Sequence, residues 1–554
     1  MVLRAVVATL AGALLAAAFP PAGIGLAAIL AVALLTVAIR GCGPGRGALL
    51  GLLAGLACLL PSLHWLVVVD TAAWLGLALA AAAYVAGLGA LTALLVRVPG
   101  WPVWVAGAWV VAEAARSRWP LGGLSWARLG FAQSDTALGH LAALGGVPLV
   151  TFAVALAGTL LAAAYGVLRT RTSRSPQRTT GLVVAALAAT VAVVLAGALI
   201  RLPVAGESAG GLPTVRVALV QGNVPGTGLD ALGQRRAVLD NHVRATIDLA
   251  RGVQAGTVAK PDMVLWPENA SDLDPFHDAQ AYAAIDAATR AIGVPILVGA
   301  IASNAAGQLQ NVAIVWDPVT GPGATYAKQH LVPFGEFIPA RGLIGGLVPD
   351  FSRVQADMVP GTEPGRLQLG PVSVADMLCF EVADDGLVRD AVTGGGRLLV
   401  VQTNNATYAG TAQPDQQLQI TRLRAIEHGR TTVAVSTNGI TAVVAADGTV
   451  EQQWEPGTAR TGVVTVALRD SPTPADRVGA WPEAIIVALT GGAVAVAIAA
   501  ALRRRRSSPG VKSTGTSPTP AGPSPDASQG APAPTVPAAA VAPAPTGSAE
   551  DPPR

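Results

Sequence analysis

The sequence predicts a polytopic α-helical membrane domain joined to a layered α/β domain, and three observations predict it. Of 554 residues, 52% are hydrophobic and only 13% are charged, against about 25% charged in an ordinary globular domain. The first 200 or so residues form a series of apolar runs, each near the ~20 residues that cross ~30 Å of hydrocarbon. Between about 212 and 480 the pattern changes to short β-rich runs separated by helical stretches, which implies a largely buried sheet with helices packed on it. A formal net charge of +3, with no basic stripe interleaved with aromatics, excludes nucleic acid as a partner.

The apolar runs lie near 4–18, 22–39, 47–63, 71–96, 101–115, 146–168, 181–200 and 484–502, giving about eight expected spans. The first is short enough to resemble a signal-peptide core. Phe19-Pro20-Pro21 follows it in place of a small-residue cleavage site, so a retained span is expected. Arginines fix the orientation, because cytoplasmic loops are enriched in Lys and Arg. Arg4, Arg40, Arg46, Arg97, Arg169, Arg171, Arg174, Arg178 and Arg503 to Arg506 all fall on one side if the spans alternate from an inside start. Arg116, Arg118, Arg128 and Arg201 are the exceptions. The expected organisation is a membrane domain over 1–205, an extracytoplasmic α/β domain over 212–480, a last helix over 484–502 and a cytoplasmic tail over 503–554. The tail is rich in Ser, Pro, Ala and Gly and carries too little apolar side chain to offset chain entropy, so disorder is expected there.

Within 212–480, strands are expected near Val215, Met263, Pro295, Val312, Val372, Leu398 and Val433, with helices near 230–252, 277–292, 384–394 and 413–430. Asp447-Gly448 between two β-rich runs predicts a hairpin.

The candidate chemistry lies at strand ends, where open α/β sheets place their sites. Glu268 ends the Met263 run, Lys328 follows Thr325-Tyr326-Ala327, and Cys379 ends the Val372 run. Each alone is unremarkable: a strand-end carboxylate, a surface ammonium and a small buried thiol. Together they complement one another. A thiol needs a base before it can attack an acyl carbon, a carboxylate screened from water suits that role, and a fixed ammonium stabilises the oxyanion. Cys42 and Cys58 lie in or beside apolar runs and read as buried hydrophobes. No disulfide framework is expected. Six scattered histidines show no metal-ligand spacing, so no metal is expected.

Trp266-Pro267-Glu268, Lys328 with His330-Leu331-Val332-Pro333-Phe334-Gly335-Glu336, and Leu378-Cys379-Phe380-Glu381 resemble the carbon–nitrogen hydrolase (nitrilase) superfamily. Its fold is an α-β-β-α sandwich with a Glu-Lys-Cys triad. With seven apolar runs before this domain and one after it, the chain is similar to the membrane branch of that superfamily, the apolipoprotein N-acyltransferases. The resemblance implies a base at Glu268, a nucleophile at Cys379 and an oxyanion stabiliser at Lys328. It also implies that Glu336 supports the lysine and the substrate amine, and that Glu381 is a required acid. No cofactor is implied. The implied reaction is ping-pong: an acyl chain passes from a membrane phospholipid to Cys379 as a thioester. It then passes to the α-amine of an S-diacylglyceryl cysteine at a lipoprotein N-terminus. The implied location is the cytoplasmic membrane.

Two positions depart from the family pattern. Phe380 stands where the family often has Tyr, and Asn404-Asn405-Ala406-Thr407-Tyr408 stands in place of an Asn-Asp-x-Trp run, with Tyr408 a candidate substrate contact. The apolar loop containing Leu347 and Phe351 is a candidate lid at the lipid boundary. Two other readings compete. A membrane-tethered amidase would use the same triad, but gives no reason for so many spans. A transporter or scaffold would carry more ionisable residues within the spans than Asp70 and Glu113.

Overall fold

The computed structural model describes residues 1–169, 176–200, 211–224, 234–333, 335–338, 341–344 and 356–506. Leu347, Phe351 and the tail beyond 506 lie outside them, so the lid and disorder expectations fall outside the described structure.

Each of the eight expected apolar runs folds as one helix. They are α1 (Val2–Ala17), α2 (Ala27–Ile39), α3 (Pro44–Ser62), α4 (Thr71–Leu95), α5 (Trp101–Arg116), α6 (Ala142–Arg169), α7 (Pro176–Leu199) and, at the far end, α14 (Trp481–Arg506). Among the described residues, α3, α4, α6, α7 and α14 are long and apolar enough to cross a membrane. α1, α2 and α5 are shorter, at 16, 13 and 16 residues. α3 and α4 pack in backbone contact: a Cβ on Gly51 would lie 2.2 Å from the Val85 carbonyl oxygen, and one on Gly89 2.2 Å from that of Gly47. Helices in lipid associate by such close approach, since burying apolar surface gains little there. Gly145 and Gly146 leave helical geometry and break α6 near its start.

The α/β part is an α-β-β-α sandwich. One sheet has the order β12 (Arg460–Ala467), β1 (Thr214–Gln221), β2 (Met263–Leu265), β3 (Ile296–Ser303), β4 (Leu309–Asp317) and β5 (Gly321–Ala327). The other has the order β11 (Val450–Gln453), β10 (Ala442–Val444), β9 (Thr432–Ser436), β8 (Leu398–Thr403), β7 (Val372–Leu378) and β6 (Arg366–Leu369). β1, β2 and β3 run parallel, as do β7, β8 and β9. The expected hairpin is present, with Gly448 at φ +86° between β10 and β11.

Strand alternation separates two faces. Val217, Leu219, Leu265, Val374, Leu378, Val400 and Val433 fill the layer between the sheets. Ala218, Val264 and Val298 face outward against Leu239 and Leu249 of α8 (Arg235–Gln254) and Ile285 of α9 (Ala279–Ile292). A short turn, α10 (Arg341–Ile344), follows the lysine segment. On the second sheet, Ala375, Met377 and Leu399 pack on α11 (Asp385–Thr393).

The remaining outer face of that sheet joins the sandwich to the membrane helices. Val401 and Ala434 share one buried cluster with Ile420, Leu423 and Ile426 of α12 (Gln413–His428), and with Trp126, Phe131 and Leu138 from the segment between α5 and α6. Met1–Leu502 accordingly forms one compact unit. Polar groups lock this junction. Gln416 Oε1 accepts from the indole N–H of Trp126 at 2.7 Å and of Trp65 at 3.2 Å, and Gln416 Nε2 donates to the carbonyls of Pro20 at 3.2 Å and Ser62 at 3.1 Å. Arg128 Nη1 donates to both oxygens of Asp385 at 2.7 and 2.8 Å, and Arg424 Nη2 donates to the same carboxylate at 2.7 Å. Glu113, expected at a span end, is buried and accepts from Leu129 N at 2.6 Å and Thr151 Oγ1 at 2.8 Å. α13 (Pro474–Val478) leads the chain back into α14.

Burial alone would raise the Asp385 carboxyl, but Arg128 and Arg424 outweigh it and hold the group well below the ordinary carboxylate range. Its stabilising contribution is complete above the unfolded value of about 4 and lost as pH falls through the folded one. Asp385→Ala removes the carboxylate that two buried guanidiniums share, leaving Arg128 with Glu113 and Arg424 with Glu427, and is expected to cost about 3 kcal/mol, read as a lower thermal midpoint of the detergent-solubilised protein at pH 7. An unchanged midpoint would show that the ion pairs do not hold the junction.

Candidate active site

Strand ends from both sheets bring the three expected residues together. Glu268 follows β2, Lys328 follows β5, and Cys379 follows β7. Lys328 Nζ lies 3.0 Å from Glu268 Oε1 and 2.8 Å from Glu336 Oε1, and Lys328 is only 2% exposed. Asn311, beside Lys328 on β4, closes the arrangement, since its Nδ2 donates to the same two oxygens at 2.8 Å each. The second oxygen of each carboxylate takes a backbone N–H: Asn404 N to Glu268 at 2.9 Å, and Val332 N to Glu336 at 2.7 Å. A carboxylate has about four acceptor sites. Glu268 uses three, which leaves one for a proton.

Cys379 is half-buried and opens a short 3₁₀ turn, Cys379–Ala383, with φ at +54°. A non-glycine residue in that region is uncommon, and such strain clusters at functional sites. Asn269, next to Glu268, also has φ +54°. Gln417 Nε2 donates to Cys379 Sγ at 3.7 Å. Burial pushes the thiol well above its ordinary range; Glu268 adds to this, Lys328 opposes it, Glu336 adds again and Gln417 opposes. The resting group is therefore a neutral thiol that needs a base. Burial works against charge on Lys328, but Glu268, Glu336 and Cys379 outweigh it and keep the ammonium well above the ordinary lysine range.

Glu381 anchors the turn. Its Oε1 accepts from Gln329 N at 2.7 Å and His330 N at 3.2 Å, its Oε2 from Leu378 N at 2.9 Å, and the Tyr326 hydroxyl reaches both oxygens at 2.9 Å. One carboxylate thus ties the strand that ends at Cys379 to the segment that carries Lys328. Burial raises the Glu381 carboxyl above the ordinary glutamate range, with Lys328 and the backbone N–H groups opposing. Asp376 on β7 is fully buried, and among the described residues neither of its oxygens has a partner. Burial holds it well above the ordinary carboxylate range, Glu381 and Glu268 adding to the effect.

Phe380 stacks on Trp126 with centroids 5.5 Å apart and planes at 12°, and meets the His330 ring edge-on at 5.5 Å. Its packing surface thus belongs to the membrane-side segment. Tyr408 packs edge-on against Trp65 at 5.0 Å. A cleft of about 570 Å³ adjoins the lysine segment, lined by Arg118, Leu121, Gln329, His330, Phe337 and Met358. Asn311, Gln417 and the Trp126 wall went unnoticed in the sequence: an amide inside a strand or helix carries no motif, and Trp126 lies about 250 positions from the residue it packs against.

The sandwich and its convergent strand ends define a carbon–nitrogen hydrolase domain, and residues 216–472 match that family. Residues 11–160 match the Apolipoprotein N-acyltransferase N-terminal domain. The chain is 40% identical over 410 residues to an apolipoprotein N-acyltransferase of Mycolicibacterium smegmatis, covering 72% of this chain and 68% of that one. It is 31% identical over 455 residues to one of Methylococcus capsulatus, covering 79% and 85%. A solved amidase structure from Nesterenkonia sp. AN1 covers 46% of this chain and 93% of its own at 20% identity, with a TM-score of 0.34. The chain belongs to the apolipoprotein N-acyltransferase family.

Glu381→Gln replaces one acceptor oxygen with an N–H donor amid five donor contacts. It is expected to cost about 1–3 kcal/mol, seen as a lower thermal midpoint. A midpoint equal to that of the unsubstituted protein would remove Glu381 as the anchor of the turn.

Proposed function

We propose that the chain transfers an acyl chain from a membrane phospholipid, through a thioester on Cys379, to the α-amine of an S-diacylglyceryl cysteine at a lipoprotein N-terminus. The observation that carries this reading is the Lys328 ammonium, 3.0 and 2.8 Å from two carboxylates, at the strand ends that also hold a thiol in a strained turn. The family adds the class of donor and acceptor.

In the first half-reaction Glu268 takes the thiol proton and Cys379 Sγ attacks the ester carbonyl of the donor. Lys328 stabilises the oxyanion of the tetrahedral intermediate. When the C–O bond breaks, the proton on Glu268 passes to the departing glycerol oxygen, and a lysophospholipid leaves. In the second half-reaction the acceptor amine attacks the thioester carbon and gives a proton to Glu268. The C–S bond then breaks, and that proton returns to Cys379. An amide is more stable than a thioester, so no nucleotide is needed. Glu336 holds Lys328 in place and adds negative charge near the incoming amine. Glu381 sets the turn that presents the thiol.

The reading places the protein in the cytoplasmic membrane with the sandwich on the extracytoplasmic face. Arg4, Arg40 and Arg97 gather at the helix ends away from the sandwich: Arg4 Nη1 donates to the Ala38 carbonyl at 2.7 Å, and Arg97 Nη2 to the Cys42 carbonyl at 2.9 Å. Basic residues mark the cytoplasmic side. At the opposite ends, Trp119 and Trp481 are each 71% exposed, as fits aromatic side chains at the headgroup level. The cleft beside Leu121 and His330 then opens where lipid headgroups lie.

The purified protein incubated with acyl-labelled phospholipid is expected to carry a hydroxylamine-sensitive label on Cys379, which a diacylated lipopeptide then removes as an amide. Cys379→Ser should carry no thioester, and Glu268→Gln should slow labelling about 10²- to 10⁴-fold. Release of the label to water alone, with no lipopeptide product, would favour the amidase reading instead.

A further inference from the structure

Three glutamines, Gln413, Gln416 and Gln417, occupy the first turn or so of α12, each no more than 4% exposed. Glutamine is mostly a surface residue, and a buried amide persists where its donors and acceptors are matched. Gln416 is matched by groups of the membrane helices and their loops, as described above. Gln417 turns the other way.

Its orientation is set by Asn405, with Gln413 in support. Asn405 Nδ2 donates to Gln417 Oε1 and to Gln413 Oε1, both at 2.8 Å, and Gln413 Nε2 donates to Gln417 Oε1 at 3.3 Å. Asn405 Oδ1 in turn accepts from Thr403 Oγ1 at 2.9 Å and from Ser436 Oγ at 3.1 Å, while Ser436 Oγ accepts from Gly439 N at 2.8 Å. The chain of donors runs one way: hydroxyl to Asn405 oxygen, Asn405 nitrogen to Gln417 oxygen. That leaves the Gln417 amide N–H group as the end facing Cys379 Sγ. A carboxylate at position 405 could not donate to Gln417 Oε1.

We infer that Gln417 is a further catalytic residue, whose side-chain N–H stabilises the Cys379 thiolate, and that Asn405 is the positioning residue that aims it. The inference rests on Cys379 as the nucleophile. The thiolate forms twice per cycle: when the S–H proton leaves for Glu268 before attack on the donor, and when the C–S bond of the thioester breaks as the amide forms. At both moments the proton sits on Glu268, so the charge growing on sulfur is balanced only by Lys328, which already pairs with Glu336. A neutral amide donor lowers the cost of that charge without adding a titrating group.

The test is the rate at which a neutral alkylating reagent, iodoacetamide, modifies Cys379 in the full-length detergent-solubilised protein across pH 6–10. The Cys379 peptide is followed by mass spectrometry, so that Cys42 and Cys58 do not contribute. Gln417→Met, which keeps the length and loses the donor, is expected to slow alkylation roughly 10- to 100-fold at neutral pH and move the profile about one to two pH units upward. Asn405→Asp never touches sulfur and keeps its Thr403 and Ser436 partners, yet should produce a comparable loss, because the Gln417 amide reverses to meet the carboxylate. Single-turnover labelling by phospholipid should fall in parallel with unchanged donor affinity. Alkylation profiles of both variants within about threefold of the unsubstituted protein would overturn the inference, as would a loss confined to Gln417→Met accompanied by a fallen thermal midpoint. Because alkylation reads the thiol alone, failure of the acyl-transfer reading would leave this result unaffected.

Discussion

The site is organised by one buried ammonium shared by two carboxylates. Lys328 is almost fully enclosed, and a lone charge there would be costly. It is tolerated because Glu268 and Glu336 lie within hydrogen-bond reach and Asn311 bridges the same two oxygens. The ring closes across β2, β4, β5 and the segment after Lys328. The positions of Glu268, Lys328 and Glu336 are therefore a single geometric fact. Preorganised charge of this kind does most for a reaction when it needs no rearrangement as charge develops. Glu381 extends the constraint to the opposite sheet, since the carboxylate that accepts from Gln329 and His330 also accepts from Leu378 N, just ahead of Cys379.

The same elements connect the chemistry to the membrane part of the chain. α12 carries Gln416 toward Trp65 and Trp126 and Gln417 toward Cys379. Arg424, on the same helix, donates to the carbonyls of Val382 at 2.7 Å and Ala383 at 2.9 Å, within the nucleophile's own turn, and to Asp385, which Arg128 also holds. Phe380 rests on Trp126. The turn presenting the thiol is thus braced by residues from the α5–α6 connection. This gives a physical reason for a sandwich fused to membrane helices: the seat of Cys379 is partly built from the segment that joins two of them.

Much of this was legible in the sequence, for reasons that differ by element. The eight apolar runs stand out because a lipid-facing helix is apolar over its whole length, and each folded as one helix. β1, β2, β3, β7, β8 and β9 are buried on both faces, so they read as short β-rich hydrophobic runs. Glu268, Lys328 and Cys379 stood out because complementary chemistry at strand ends is informative jointly, and the fold brings the three together. β5, β6 and β12 escaped notice: Gly321–Ala327 is exposed over three consecutive residues and carries two glycines and a proline, Arg366–Leu369 is exposed at alternate positions, and Arg460–Ala467 is an edge strand with a half-exposed pattern. Gln417 and Asn311 were invisible because an amide acts through where the fold points it. Glu113 read as a span-end residue, and only packing shows it buried against Thr151 and Arg128.

The central claim is that the shared ammonium, held by its two carboxylates, carries the chemistry. Replacing Lys328 alone would leave two facing carboxylates, so the direct test pairs Lys328→Met with Glu336→Gln, removing one charge of each sign. The measurement is the single-turnover rate of Cys379 acylation by labelled phospholipid, with thermal midpoint as the check on folding. The account predicts a folded protein that acylates at least about 100-fold more slowly. A folded double variant that acylates at nearly the unsubstituted rate would contradict it.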